Sequence, residues 1–218
     1  MATDKLLYSS WNTLPIGKYL EIKDILEDKE NEDRDISILS VLTGLDVDTI
    51  MDMSIFDVEY LSKQASFIYT PIPKRMAGIR HFVIDGEKYD VCYDFSRITT
   101  AQYIDFNSFI SDTRKYYANI LTTFIIPHGK KYCEGYEATE LANMFLEKLD
   151  VQTAENAYFF FASCSLSSMK VIQTLFIHRL KRMMRKEKDR EKVEKIESLI
   201  KSFQQQKRLL TGLRTLMQ

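Results

Sequence analysis

The chain contains none of the short motifs that mark a chemical site: no HExxH zinc pattern, no GxxxxGK[ST] phosphate loop, no GxGxxG dinucleotide fingerprint. Its three cysteines, Cys92, Cys133 and Cys164, are odd in number and widely spaced. That pattern implies no disulfide framework and fits a reducing compartment. Seven Gly and four Pro in 218 residues leave little material for long flexible linkers. No apolar run approaches the ~20 residues needed to span a bilayer, and the longest apolar block covers only 157–162. The opening residues, Met1 to Tyr8, lack the apolar core of a signal peptide. These absences lead to the expectation of a soluble intracellular protein with no membrane partner.

What is present is an unequal distribution of charge. The net charge is only -1. Yet residues 178–218 carry thirteen Lys/Arg against five Asp/Glu, while residues 1–177 carry seventeen against twenty-six. An acidic body is thus joined to a basic C-terminal segment. Twelve Tyr and thirteen Phe supply more aromatic area than a core of this size must use, and such excess is common at protein interfaces.

Periodicity predicts a mainly α (α+β) fold: a helical body, one β-hairpin near 79–94 and a long C-terminal helical arm. Leu14, Tyr19, Ile22, Ile25 and Leu26 recur at helical spacing, and Glu27 to Asp35 reads as a polar loop. Ile36, Leu39 and Leu42 form the next stripe, with Gly44 placed for a left-handed cap. Ser54 starts a third helix whose buried side is Val58, Leu61, Ala65 and Ile68, and Asp57 stands in a capping-box position. Pro71 and Pro73 end this region. Alternation then changes to period two on either side of Asp85-Gly86, the best hairpin turn in the chain. Thr99 or Thr100 can cap a helix bearing Tyr103, Ile104, Phe106 and Phe109. A second helix is expected over Thr113 to Ile125, a loop over 127–137, and a short helix over Thr139 to Leu149. Asp150 or Thr153 then begins the C-terminal helix, apolar on all sides from Ala157 to Phe161. This gives an N-terminal helical segment, 1–70, packed as one body with a hairpin-plus-helices segment, 71–150. The C-terminal helical region occupies 151–218.

Several residues invite a chemical reading that a plainer one displaces. His128 and Cys133 share a loop, but two ligands without a second pair do not make a metal site. Gly129-Lys130-Lys131 lacks the rest of a phosphate loop and reads as a solvated basic turn. The acidic pairs Glu30/Glu32 and Asp33/Asp35 have no apolar pocket to shift a pKa. Cys164, in an apolar helix, reads as a small buried hydrophobe. No catalytic residue, no metal ligand and no cofactor is expected.

The basic segment is a different case. Arg182, Arg185, Lys186 and Arg190 lie beside a seam of Val193, Ile196, Ile200 and Phe203 at three- and four-residue spacing, and these eight are the candidate partner-binding residues. Intrahelical pairs such as Glu191 with Lys195 offer a plain account of part of the charge. An apolar seam next to cations fits an acidic protein partner, such as a second copy's body. Duplex DNA offers no apolar surface of that kind, so any nucleic-acid contact would be non-specific.

The stretches Leu14-Pro15-Ile16-Gly17-Lys18-Tyr19-Leu20-Glu21-Ile22, Ile38-Leu39-Ser40-Val41-Leu42-Thr43-Gly44-Leu45 and Ser54-Ile55-Phe56-Asp57 resemble small structural and assembly proteins of tailed bacteriophages. A Thr-Gly helix end followed by a Ser-x-x-Asp start is similar to tail-assembly chaperones. Thr100-Ala101-Gln102-Tyr103-Ile104-Asp105-Phe106 and Ala157-Tyr158-Phe159-Phe160-Phe161 resemble neck and tail-region proteins of crAss-like phages. The resemblance runs in order over roughly residues 11–165 and carries no catalytic residue. It implies a non-enzymatic virion protein, a subunit of a homo-oligomeric ring in the head–tail connector or tail, assembled in the bacterial cytoplasm. The implied neighbours are portal or other connector and tail proteins. The alternative it leaves open is a tail-assembly chaperone that does not remain in the particle.

Overall fold

In the computed structural model, residues 6–28, 30–74, 77–94 and 97–164 are described. Four helices open the chain: α1 (Ile16–Glu27), α2 (Arg34–Thr43), α3 (Val47–Met51) and α4 (Ile55–Ala65), the last running into a 3₁₀ turn, Ser66–Tyr69. A hairpin follows, β1 (His81–Ile84) and β2 (Glu87–Val91). Then come α5 (Thr100–Phe109), α6 (Tyr117–Thr122), β3 (Ile125–Pro127) and α7 (Ala138–Lys148). Residues 151–164 are helical. The fold is mainly α with one small antiparallel sheet, ordered β1-β2-β3. The chain divides into two units, one of residues 1–91 and 99–158, the other of 92–98 and 159–218.

The helix ends follow local chemistry. Gly44 closes α2 at φ 74°, and a Cβ there would meet Leu7 Cδ1 at 2.8 Å. Ser54 Oγ accepts from the Asp57 amide at 3.2 Å and donates to Asp57 Oδ2 at 2.6 Å, so each side chain satisfies the other. Thr99 is the cap of α5, in a reciprocal capping box with Gln102. Gln102 also donates from Nε2 to the buried carbonyl of Thr123 at 2.9 Å. Asp150, rather than Thr153, caps the last helix, accepting from the Thr153 amide at 2.8 Å.

Three expectations need correction. A five-residue helix, α3, stands between Gly44 and Ser54, started by Asp46, which accepts from the Thr49 amide at 2.7 Å. The helix expected over 113–125 is only Tyr117–Thr122. Thr122 and Thr123 turn their hydroxyls back onto the carbonyls of Asn119 and Ile120, which competes with continued helix. Ile126 precedes Pro127 and is therefore driven to extended backbone. The result is β3, whose Ile125 lies opposite Val91 and whose Pro127 lies opposite Tyr89. Proline is tolerated there because β3 is an edge strand. The hairpin is thus two strands of a three-stranded sheet. The apolar collar at 157–161 is also incomplete: Ala157, Tyr158 and Phe161 are buried, but Phe159 and Phe160 only half so, and Cys164 is half-buried as well.

In the first unit, Leu14, Ile22, Leu39, Leu42, Ile50, Leu61 and Val151 share one apolar core. Trp11 meets Tyr19 and Phe67 edge-on, with centroids 5.7 and 5.2 Å apart. The segment before α1 is tied to the start of the last helix, the Ile16 amide donating to Leu149 O at 3.0 Å and the Val151 amide to Leu14 O at 2.9 Å. The sheet rests on α7 through aromatics: Phe82 stacks on Tyr89 at 5.7 Å, and Tyr89 meets Phe145 edge-on at 5.8 Å. In the second unit, Tyr93 meets Phe160 at 4.8 Å.

Candidate assembly interface

The eight residues expected to bind a partner, Arg182, Arg185, Lys186, Arg190, Val193, Ile196, Ile200 and Phe203, lie outside the described residues. The expected C-terminal arm beyond residue 164 does so too.

A second surface comes from α3 and α4. Helix α4 buries Leu61 and Ala65 and half-buries Val58. At 100° per residue these three occupy one arc, and Phe56 and Tyr60, four apart, occupy the opposite one. Phe56 is 79% exposed and Ile55 78% exposed. Met51 at the end of α3 is also exposed, as are Val47 and Tyr60. Five large apolar side chains within fourteen residues face solvent, and single exposed hydrophobics would need no account where a group does. The setting is acidic: Asp46, Asp48, Asp52, Asp57 and Glu59 are all exposed, and the one cation beside them, Lys63, pairs with Glu59 at 2.8 Å. Asp46 is held below its ordinary pKa by hydrogen bonds from the Thr49 amide and hydroxyl, so its charge persists in mild acid. The signal for this face was present in the chain, because α4 holds more apolar residues than one buried stripe can take.

Several other charged groups are matched locally. Arg114 bridges Asp24 and Glu27 on α1. Lys148 of α7 meets Asp85 of the hairpin turn. An open concavity at the polar loop is lined by Asn31, Glu32, Asp33, Arg34, Asp35 and Ile36, and Asp35 accepts from Tyr69 Oη at 2.9 Å. Among the described residues no group of three His, Cys, Asp or Glu is placed to hold a metal. His128 Nδ1 lies 2.7 Å from Asp90 Oδ2 across β2 and β3. Partial burial pushes the Cys133 thiol up, which disfavours the thiolate. In the turn after Gly129, the Lys131 amide is taken by Glu134 Oε2 at 2.9 Å.

One half-buried carboxylate stands apart. Glu155 accepts from Tyr117 Oη at 2.9 Å. Desolvation raises its carboxyl pKa, the Tyr117 hydrogen bond and the charges of Lys23 and Lys74 offsetting part of that rise. Burial and then the Glu155 charge push Tyr19 and Tyr158 up to about 12 and Tyr117 well above its ordinary value. The phenols are therefore neutral donors at physiological pH, and the cluster acts as a buried clamp between α6 and the last helix.

Among the described residues no helix is long and apolar enough to cross a membrane. No protein-family model, curated protein or solved structure matches the chain.

Proposed function

We propose that the chain is a non-enzymatic structural protein of a tailed-phage particle, a subunit of an oligomeric ring in the head–tail connector or tail. The observation that carries this reading is the exposed apolar and acidic face of α3 and α4 on a chain that ends in a basic segment. Two complementary, non-identical surfaces on one chain favour head-to-tail contacts, and these close into a ring when the rotation allows. Charge complementarity would set register and apolar side chains would supply affinity. The phage context rests on the sequence resemblance, and portal or other connector proteins are the neighbours it implies. The protein would assemble in the host cytoplasm and remain in the virion, with no cofactor.

Mass spectrometry of purified particles tests the reading. The protein is expected at a fixed stoichiometry of several copies per particle, and light scattering of the purified chain is expected to give a closed multiple of its 25.6 kDa mass. Absence from virions would reject the structural role in favour of an assembly chaperone.

A further inference from the structure

We propose that the α3–α4 face is the seat of residues 179–203 of a second copy of this chain. The inference rests on the ring reading and assigns its contact.

The face offers Val47, Met51, Ile55, Phe56 and Tyr60 among five carboxylates and one cation, Lys63, which pairs with Glu59 at 2.8 Å. The segment offers the reverse. From Arg179 to Lys186 it carries five cations and no carboxylate, and over 179–203 ten cations against five carboxylates, with a seam of Val193, Ile196, Ile200 and Phe203. Each surface thus has both halves of what the other requires, an apolar stripe and charge of the opposite sign. An acidic peptide or a nucleic acid would meet like charge at Asp48, Asp52 and Asp57. An uncharged apolar partner would desolvate these carboxylates without supplying a cation.

Size points the same way. Five exposed apolar side chains are fewer than the roughly 20–30 residues a side of a standard interface. A stable interface buries about 800 Å² per partner, so the carboxylate rim must be covered as well as the apolar centre. A 25-residue basic segment covers both. The ring reading places the occupant on another copy. Because the contact joins unlike surfaces, it propagates from subunit to subunit.

Complementation between two full-length variants tests the pairing. One carries Phe56→Ser and Tyr60→Ser, which disables the face and leaves the segment intact. The other carries Ile196→Ser, Ile200→Ser and Phe203→Ser, which does the opposite. Sedimentation or light scattering should show wild type as an oligomer and each variant alone as a monomer, its association weakened at least tenfold. The 1:1 mixture should form a heterodimer of twice the 25.6 kDa chain, since one good face and one good segment remain. Oligomers persisting in either variant alone would overturn the contact while leaving the ring reading in place. Monomeric variants whose mixture stays monomeric would also overturn it, because face and segment would then serve different partners. Monomeric wild type would reject self-association and the ring with it. Should a serine variant misfold by circular dichroism, charge exchange supplies the same test: Asp52→Lys with Glu59→Lys should abolish association, and mixing with Arg182→Glu plus Arg185→Glu chains should restore it. Failure of that restoration counts against the pairing.

Discussion

Glu155 places a carboxylate among Tyr19, Tyr117 and Tyr158, where desolvation favours its protonated form. With its native pKa raised above the ordinary carboxylate value, the folded chain holds a proton that the unfolded chain releases between those two values. Stability contributed by this group is therefore full below the unfolded pKa and is lost as pH rises through the native one. Replacing Glu155 by Gln keeps an acceptor for Tyr117 and removes the titration. Thermal unfolding should find the Gln variant indistinguishable from wild type near pH 4 and more stable above the native pKa, with the gap growing between. A gap that is constant with pH would mean that Glu155 is ionised without penalty and that the clamp is an ordinary surface pair.

Gly17 decides how closely two helices approach. A Cβ at this position would lie 2.9 Å from the backbone oxygen of Leu146 in α7, and a backbone atom cannot rotate aside. Alanine would gain up to about 1 kcal/mol of helix propensity in α1. Overpacking against a fixed carbonyl costs typically 1–3 kcal/mol, and the position lies in the first turn of α1, where propensity counts least. Gly17→Ala should therefore destabilise by about 1–2 kcal/mol in urea unfolding, and an unchanged midpoint would place α1 further from α7. The same scale shows what could be read in advance. The Gly44 and Ser54 helix ends and the Asp85-Gly86 turn, with φ of 50° and 84°, obey rules that act within four residues. Strand β3 escaped because its three residues have no periodicity of their own and become a strand only by pairing with β2, more than thirty residues away. Helix α3 escaped because five residues are too few for a stripe.

At the scale of the whole molecule, charge asymmetry was legible by counting, and it identified one half of the candidate interface. The other half was implicit in the stripe of Val58, Leu61 and Ala65, whose opposite arc holds Phe56 and Tyr60, but a stripe does not say which surplus apolar residues neighbouring helices will cover. Phe56 and Tyr60 read as ordinary helix residues until the packing of α2 against α4 is known. The separation of these two halves along the chain leads to a prediction about stability and assembly together. The apolar core that joins Leu14, Leu42, Leu61 and Val151, and the aromatic contacts that seat the sheet on α7, all involve residues between 6 and 151. A chain ending at Ile177 keeps all of them and loses the basic segment. It should retain native near-ultraviolet circular dichroism and one cooperative unfolding transition. In light scattering it should be a monomer at concentrations where the full chain is oligomeric. Association of the full chain should also weaken as salt rises, since exposed charge pairs are screened beyond about 10 Å at 0.1 M ionic strength. The truncated chain should show no such dependence. A truncated chain that still oligomerises would move the contact to the body itself, where edge strand β1 with exposed Val83 is one such surface among the described residues. Loss of folding on truncation would instead make residues 178–218 part of the core and remove the basis for treating them as a free arm.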